Sequence, residues 1–125
     1  MPLNTLSQRV FYAGTLIFEE GESGDRAYLV ERGAVEIVKR TKHGERRLGV
    51  IPPGGLFGEM ALLDGAPRMA SARATTETVC RVVPRELVAA KLRSADPFLA
   101  ALLRIMLANA RSAAEAAVAE PGSGP

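Results

Sequence analysis

The sequence predicts a mostly-β domain, a sandwich or small barrel, followed by two C-terminal helices. Three observations predict it. Gly14, Gly21, Gly24, Gly33, Gly44, Gly54 and Gly58 divide the first half of the chain into short runs rich in Val, Ile, Leu and aromatic residues, the punctuation of an all-β fold. Inside those runs apolar and charged residues alternate, as at Val35, Glu36 and Ile37, the period of a half-buried strand. Near the C-terminus, Phe98, Leu99, Leu102, Leu103, Met106 and Ala110 recur at helical spacing.

Residues 1–9 are weakly patterned and form a short N-terminal segment. The β domain is expected over 10–96. "TLIFEEG" is a strand ending at Gly21, and "AYLVERGAVEIVKR" is two strands joined near Arg32-Gly33. "TKHGE" is a polar hairpin tip. "RRLGVI" returns and is stopped by Pro52-Pro53-Gly54-Gly55. A short apolar helix with a turn at Asp64-Gly65 interrupts the sheet. The strand signal resumes in "ETVCRVV", and after Pro84 "RELVAAKLRSA" is a helix. Asp96-Pro97 restarts a helix over 97–120, because Asp caps well and proline suits the first helical position. Pro121 ends it, and 121–125 is a flexible tail.

The totals narrow the function. A chain of 125 residues fits one domain and buries roughly two-thirds of its unfolded surface. Apolar residues make up 47% and charged residues 24%, a globular balance. The net charge of +2 is spread along the chain, which argues against direct nucleic-acid contact. Cys80 is the single cysteine, so no intrachain disulfide forms. "MPLNTLSQRV" has no apolar signal core. "PFLAALLRIMLANA" is too short and too polar to span a bilayer. A cytoplasmic protein without membrane contact is expected.

The chemistry concentrates in "FGEMALLDGAPRMASARA", Phe57 to Ala74. Gly58 lets a ligand approach the backbone. Ala61, Ala70 and Ser71 are small enough to leave amides uncovered, and Arg68 offers a planar fork that matches two phosphate oxygens. One arginine suits a singly charged phosphodiester, and there is no GxxxxGK[ST] motif. Glu59 would repel a phosphate but would accept from a sugar hydroxyl. A 3′,5′-cyclic nucleotide has one phosphodiester charge and a free 2′-OH.

These residues resemble the phosphate-binding cassette of cyclic nucleotide-binding domains. The upstream "AGTLIFEEGESGDRAYLVERGAVEI" resembles the same family's β-roll, with Gly14, Ile17, Phe18, Gly21, Gly24, Tyr28 and Gly33 in place. The resemblance covers roughly residues 10–112. It implies a jelly-roll-like β-roll carrying a cassette over 57–74, with the last helix as a lid. It implies that Glu59 accepts from the ribose 2′-OH and that Arg68 pairs with the cyclic phosphate. The amides of Gly58 and Ala61, with the amide and hydroxyl of Ser71, complete the cradle. Leu48, Met60 and Met69 neighbour the sugar or base. Met69 follows the arginine where cGMP-selective relatives often carry Ser or Thr, which points to cAMP ahead of cGMP. The resemblance implies a sensor whose ligand moves the last helix, acting on a protein effector or a second copy, with no cofactor and no metal.

Plainer readings stand beside these. Arg111 either caps the base or pairs with Glu115 at i+4, and Asn109 lies on the same turn. Ser71 is also a plausible strand residue bonding locally. His43 is a solvated turn residue, Cys80 a small buried hydrophobe, and Tyr28 and Phe57 core. A metal enzyme would need more than one histidine, and a Ser-His-Asp set a better-placed imidazole. The remaining alternative is a degenerate β-roll that serves only as a protein-interaction module.

Overall fold

The computed structural model describes residues 3–118 and gives two four-stranded antiparallel sheets followed by two helices. A 3-10 turn at Leu3–Thr5 leads into β1 (Gln8–Phe11), β2 (Leu16–Phe18), β3 (Arg26–Arg32), β4 (Val35–Thr41), β5 (Gly44–Ile51) and β6 (Leu56–Phe57). Then come α1 (Ala61–Asp64), β7 (Ser71–Ala74), β8 (Thr78–Pro84), α2 (Arg85–Ser94) and α3 (Pro97–Val118). One sheet runs β1-β8-β3-β6 and the other β2-β7-β4-β5. Neighbours in space are mostly distant in sequence, as in a jelly roll. The strands and helices expected within the described residues are present, with β2 ending at Phe18 and not at Gly21. The roll starts at Gln8 rather than Val10, because Gln8 and Arg9 pair with Arg81 and Cys80 of β8. The tail at 121–125 and the last two residues of the expected 97–120 helix lie outside the described residues.

The core lies between the sheets. Tyr28 and Phe57 stack with ring centroids 5.2 Å apart, Phe11 meets Tyr28 edge-on at 6.1 Å, and Phe18 stands 6.0 Å from Phe57. Val30, Val35, Ala72, Ala74, Cys80 and Val82 fill the space around them. Burial pushes the Cys80 thiol up to about 11, so it behaves as a packed hydrophobe and not as a nucleophile.

Strand period 2 decides which β7 side chains face inward. Ala72 and Ala74 point into the core. Arg73 lies on the outer face, its Nε on Glu36 at 2.9 Å and its Nη2 on Glu45 at 2.6 Å. The Arg73 guanidinium, and Arg47 beside it, hold the Glu36 carboxyl below its usual range.

In the β4–β5 ladder Ile37 faces Gly49, but Val38 faces Arg47. Leu48 is therefore the extra residue of a β-bulge. A bulge shifts the side-chain parity of its strand, so the bulged residue Leu48 and Ile51 beyond it, three positions apart, reach the same interior space.

Helix α2 begins at once after Pro84, with Glu86 in its first turn and Lys91 and Arg93 in its last, each complementing the helix dipole. Asp96 caps α3: its Oδ1 accepts from the Phe98 amide at 2.8 Å and from that of Leu99 at 3.4 Å. Asp96→Ala is expected to lower stability by about 1 kcal/mol, read as a shifted urea midpoint with unchanged slope.

Among the described residues of α3 only Ala100 and Leu107 are buried, whereas Phe98 is 74% exposed and Leu99, Ile105 and Met106 are more than half exposed. Most of the apolar stripe seen in the sequence does not cover the roll. Among the described residues, no helix is long and apolar enough to cross a membrane.

Candidate functional site

Helix α1 has a single turn, too short to persist alone. It is held by what flanks it. Gly58 on one side has φ +74, and Gly65 at its C-terminus is left-handed and returns its amide to the Ala61 carbonyl at 3.2 Å. The chain then runs to β7 through Arg68, whose backbone is tied to the turn after β2. The Arg68 amide donates to the Glu22 carbonyl at 2.7 Å, and the Gly21 amide donates to the Arg68 carbonyl at 2.8 Å.

These ties set the Arg68 side chain against the interior. The residue is only 8% exposed. Its Nη1 donates to the Gly58 carbonyl at 3.1 Å and its Nη2 to the Arg26 carbonyl at 2.8 Å. Its Cζ lies 3.9 Å from the centroid of the Phe18 ring, a cation–π contact. Nε is buried and has no acceptor, and among the described residues the guanidinium has no carboxylate within ion-pair distance. Burial lowers the Arg68 pKa, yet a guanidinium does not deprotonate in a protein. The site therefore holds a permanent, incompletely solvated positive charge. Arg73, five residues on, is neutralised by two carboxylates on the outer face.

Arg68 lines a cavity of about 250 Å³. Ile37, Leu48, Gly49 and Ile51 form one wall, Phe18, Leu56 and Phe57 another, and Gly58, Glu59, Met60 and Ala61 the edge by α1. Ala66, Pro67, Met69 and Ala70 follow from the segment before β7, and α3 adds Ala114. Glu59 is half-buried, and among the described residues its carboxylate has no side-chain partner and no ion pair with Arg68. The cavity thus combines one unpaired cation, one unpaired carboxylate and otherwise apolar walls. That combination accommodates an amphiphile with one anionic group, a hydroxyl and a flat apolar body.

Eight of the ten residues singled out in the sequence line this cavity: Leu48, Gly58, Glu59, Met60, Ala61, Arg68, Met69 and Ala70. Two do not. The Ser71 hydroxyl accepts from the Glu20 amide at 2.9 Å on the outer side of the sheet. Ser71 shares a face with Arg73 and not with Ala72, so strand alternation turns its hydroxyl away from any anion in the cavity. Arg111 places its Nε 3.5 Å from the Glu115 carboxylate one turn along α3, and among the described residues of α3 it is Ala114 that lines the cavity.

Other cavity residues escaped the sequence reading. Phe18 was part of the roll pattern but carried no assigned role, and no local signal places its ring under an arginine fifty residues away. The Arg26 carbonyl is equally invisible, since every residue has one.

The sequence pattern of the family described as "Cyclic nucleotide-binding domain" matches residues 8–95, which includes the whole roll and the cavity edge. The chain is 32% identical over 102 residues to the CRP-like cAMP-activated global transcriptional regulator of Mycobacterium tuberculosis, covering 81% of this chain and 46% of that protein. Among solved structures it is similar to the catabolite activator protein of Thermus thermophilus, with TM-score 0.75 and 37% identity over 90% of this chain and 53% of that one. The regulatory domain of Toxoplasma gondii PKA, solved with cAMP, aligns with TM-score 0.65 and 31% identity over 70% of this chain and 35% of that one. The chain spans about half the length of the curated bacterial regulator it matches. With the roll, the cassette segment and the unpaired arginine all inside the matched region, the chain belongs to the cyclic nucleotide-binding domain family.

Proposed function

We propose that this domain is a sensor that binds a 3′,5′-cyclic nucleotide, cAMP ahead of cGMP, and passes the event to α3. The observation that carries the reading is Arg68: a buried guanidinium with a free Nε and, among the described residues, no carboxylate at ion-pair distance, on the wall of a cavity. A cyclic phosphodiester supplies the missing acceptor and charge. Glu59 would accept from the ribose 2′-OH, with the phosphate kept apart on Arg68. Leu48, Ile51 and Met69 would take the sugar and base by apolar contact. Among the described residues the cavity offers no polar side chain other than Glu59 and Arg68. Guanine carries more polar edge groups than adenine and would leave more of them unpaired there, which supports the order of preference.

The path to α3 rests on Ala114 at the cavity. A ligand touching that helix biases its position by whatever affinity difference it has between two arrangements. The exposed apolar side of α3, at Phe98, Leu99, Ile105 and Met106, is the surface offered to an effector or to a second copy. In this reading the domain binds and does not react, acts in the cytoplasm, and touches neither nucleic acid nor membrane.

Titration calorimetry with cAMP and cGMP tests it. Binding of cAMP is expected in the low-micromolar range or tighter, roughly −8 kcal/mol or more favourable, with cGMP weaker. An absence of heat with either would instead favour a roll that serves only as an interaction module, the reading to which the bare side of α3 lends support. Glu59→Ala is expected to weaken cAMP by about 1–3 kcal/mol. It should also erase most of the preference for cAMP over its 2′-deoxy analogue, which the same titration measures.

A further inference from the structure

Among the described residues the Arg68 guanidinium has no counter-ion, so something other than an ion pair must fix where it lies. Two carbonyls and the Phe18 ring bound it on three sides. The fourth side is Gly24, in the loop between β2 and β3. A Cβ built on Gly24 would stand 2.7 Å from both Cζ and Nε of Arg68, and 3.0 Å from the Ala61 methyl. The backbone at Gly24 is not left-handed, unlike that of Gly21 just before it. No turn requires a glycine here, and any residue could adopt this conformation. What the missing side chain chiefly provides is room for the guanidinium, with a smaller clearance from the Ala61 methyl.

Resting on the functional reading above, we propose that Gly24 is a positioning residue for the ligand phosphate. It leaves the slot in which Arg68 lies between the Phe18 face and the loop, with Nε and the remaining N–H donors held for an anion. The two closest contacts in Gly24→Ala fall on the far end of a flexible side chain, and the third, with the Ala61 methyl at 3.0 Å, is the milder one. The guanidinium therefore yields and the roll stays, which separates this position from Gly58. At Gly58 a Cβ would also approach Arg68, 2.8 Å from Nη1, but φ is +74, so a substitution there strains the backbone as well.

The test is Gly24→Ala in the whole chain, with three readouts. The melting temperature should stay within about 3 °C of the parent. The affinity for cAMP by calorimetry should fall about 10- to 100-fold, the range for a binding group displaced by about an ångström. In the ligand-free protein, the Arg68 Nε–H resonance, assigned by its loss in Arg68→Ala, should move in the ¹⁵N-correlated spectrum. An affinity within about twofold of the parent, a resonance left in place, or a chain that fails to fold each overturns the proposal. If Arg68→Ala binds cAMP as the parent does, the functional reading itself has failed. The Nε resonance of Gly24→Ala then still decides whether Gly24 sets the position of the guanidinium.

Discussion

Arg68→Ala is expected to weaken cAMP binding by about 2–5 kcal/mol, because it leaves a buried phosphate without its charged partner. That is roughly a 30- to several-thousandfold rise in Kd. The size follows from the surroundings. The guanidinium is withdrawn from water, its Nε finds no acceptor, and among the described residues no carboxylate competes for it. Charge-assisted bonds in such a place are stronger than in solvent. The ligand-free fold should hardly notice the change. Truncation leaves the Gly58 and Arg26 carbonyls without their donors, which destabilises, but it also removes a buried and partly unsatisfied charge, which stabilises. Arg68→Lys keeps the charge and loses the planar fork, so its affinity should fall between those of the parent and the alanine variant. Calorimetry on the three proteins measures this, and equal affinities for parent and Arg68→Ala would falsify the role of this residue.

The second large effect is on stability. Phe57→Ala is expected to cost about 3–5 kcal/mol, a large share of the roughly 5–15 kcal/mol that holds a domain together. Phe57 is 2% exposed, stacked on Tyr28 at 5.2 Å and 6.0 Å from Phe18. Its removal opens a cavity that three aromatic rings now share. The neighbouring walls are hydrogen-bonded strands and cannot collapse to fill it. Urea unfolding followed by circular dichroism gives the number, and a loss below about 1 kcal/mol would mean that the aromatic cluster contributes little to stability. Cyclic nucleotide binding should weaken as well, because Phe57 backs the Phe18 ring that underlies Arg68.

The element order was legible because the signals that specify it are local. Gly33 and Gly44 mark turns, Val35, Glu36 and Ile37 show a strand period, and Asp96-Pro97 starts a helix through a cap that one side chain makes with its own neighbours. Helix α1 was legible only through its flanks, since one turn has no periodicity of its own. The cassette residues came together because a short segment, Gly58 to Ala70, carries most of them. A contiguous stretch places its residues along one edge of the cavity, while the turn after β2 fixes Arg68 and distant strands supply the other walls.

Ser71 and Arg111 mark where that reasoning stops. Ser71 sits three residues beyond Arg68, and nothing in the spacing says that β7 has already begun and turned the hydroxyl outward to the Glu20 amide. Arg111 had two readings in the sequence. In the structure the helix sets a carboxylate at Glu115 one turn away, 3.5 Å from the Arg111 Nε.

The sequence by itself determined the strands and helices, and it brought forward Glu59 and Arg68 as the candidate pair for a ligand's hydroxyl and phosphate. Both follow from residue types at short spacing, and short-range sterics and hydrogen bonding act within that spacing. Only the tertiary structure decided that Leu48 enters the cavity by way of a bulge, that the Phe18 ring lies beneath Arg68, and that Gly24 makes room beside it. Those contacts join residues far apart in the chain. They exist only once two sheets have closed on each other, and no local pattern of residues encodes that closure.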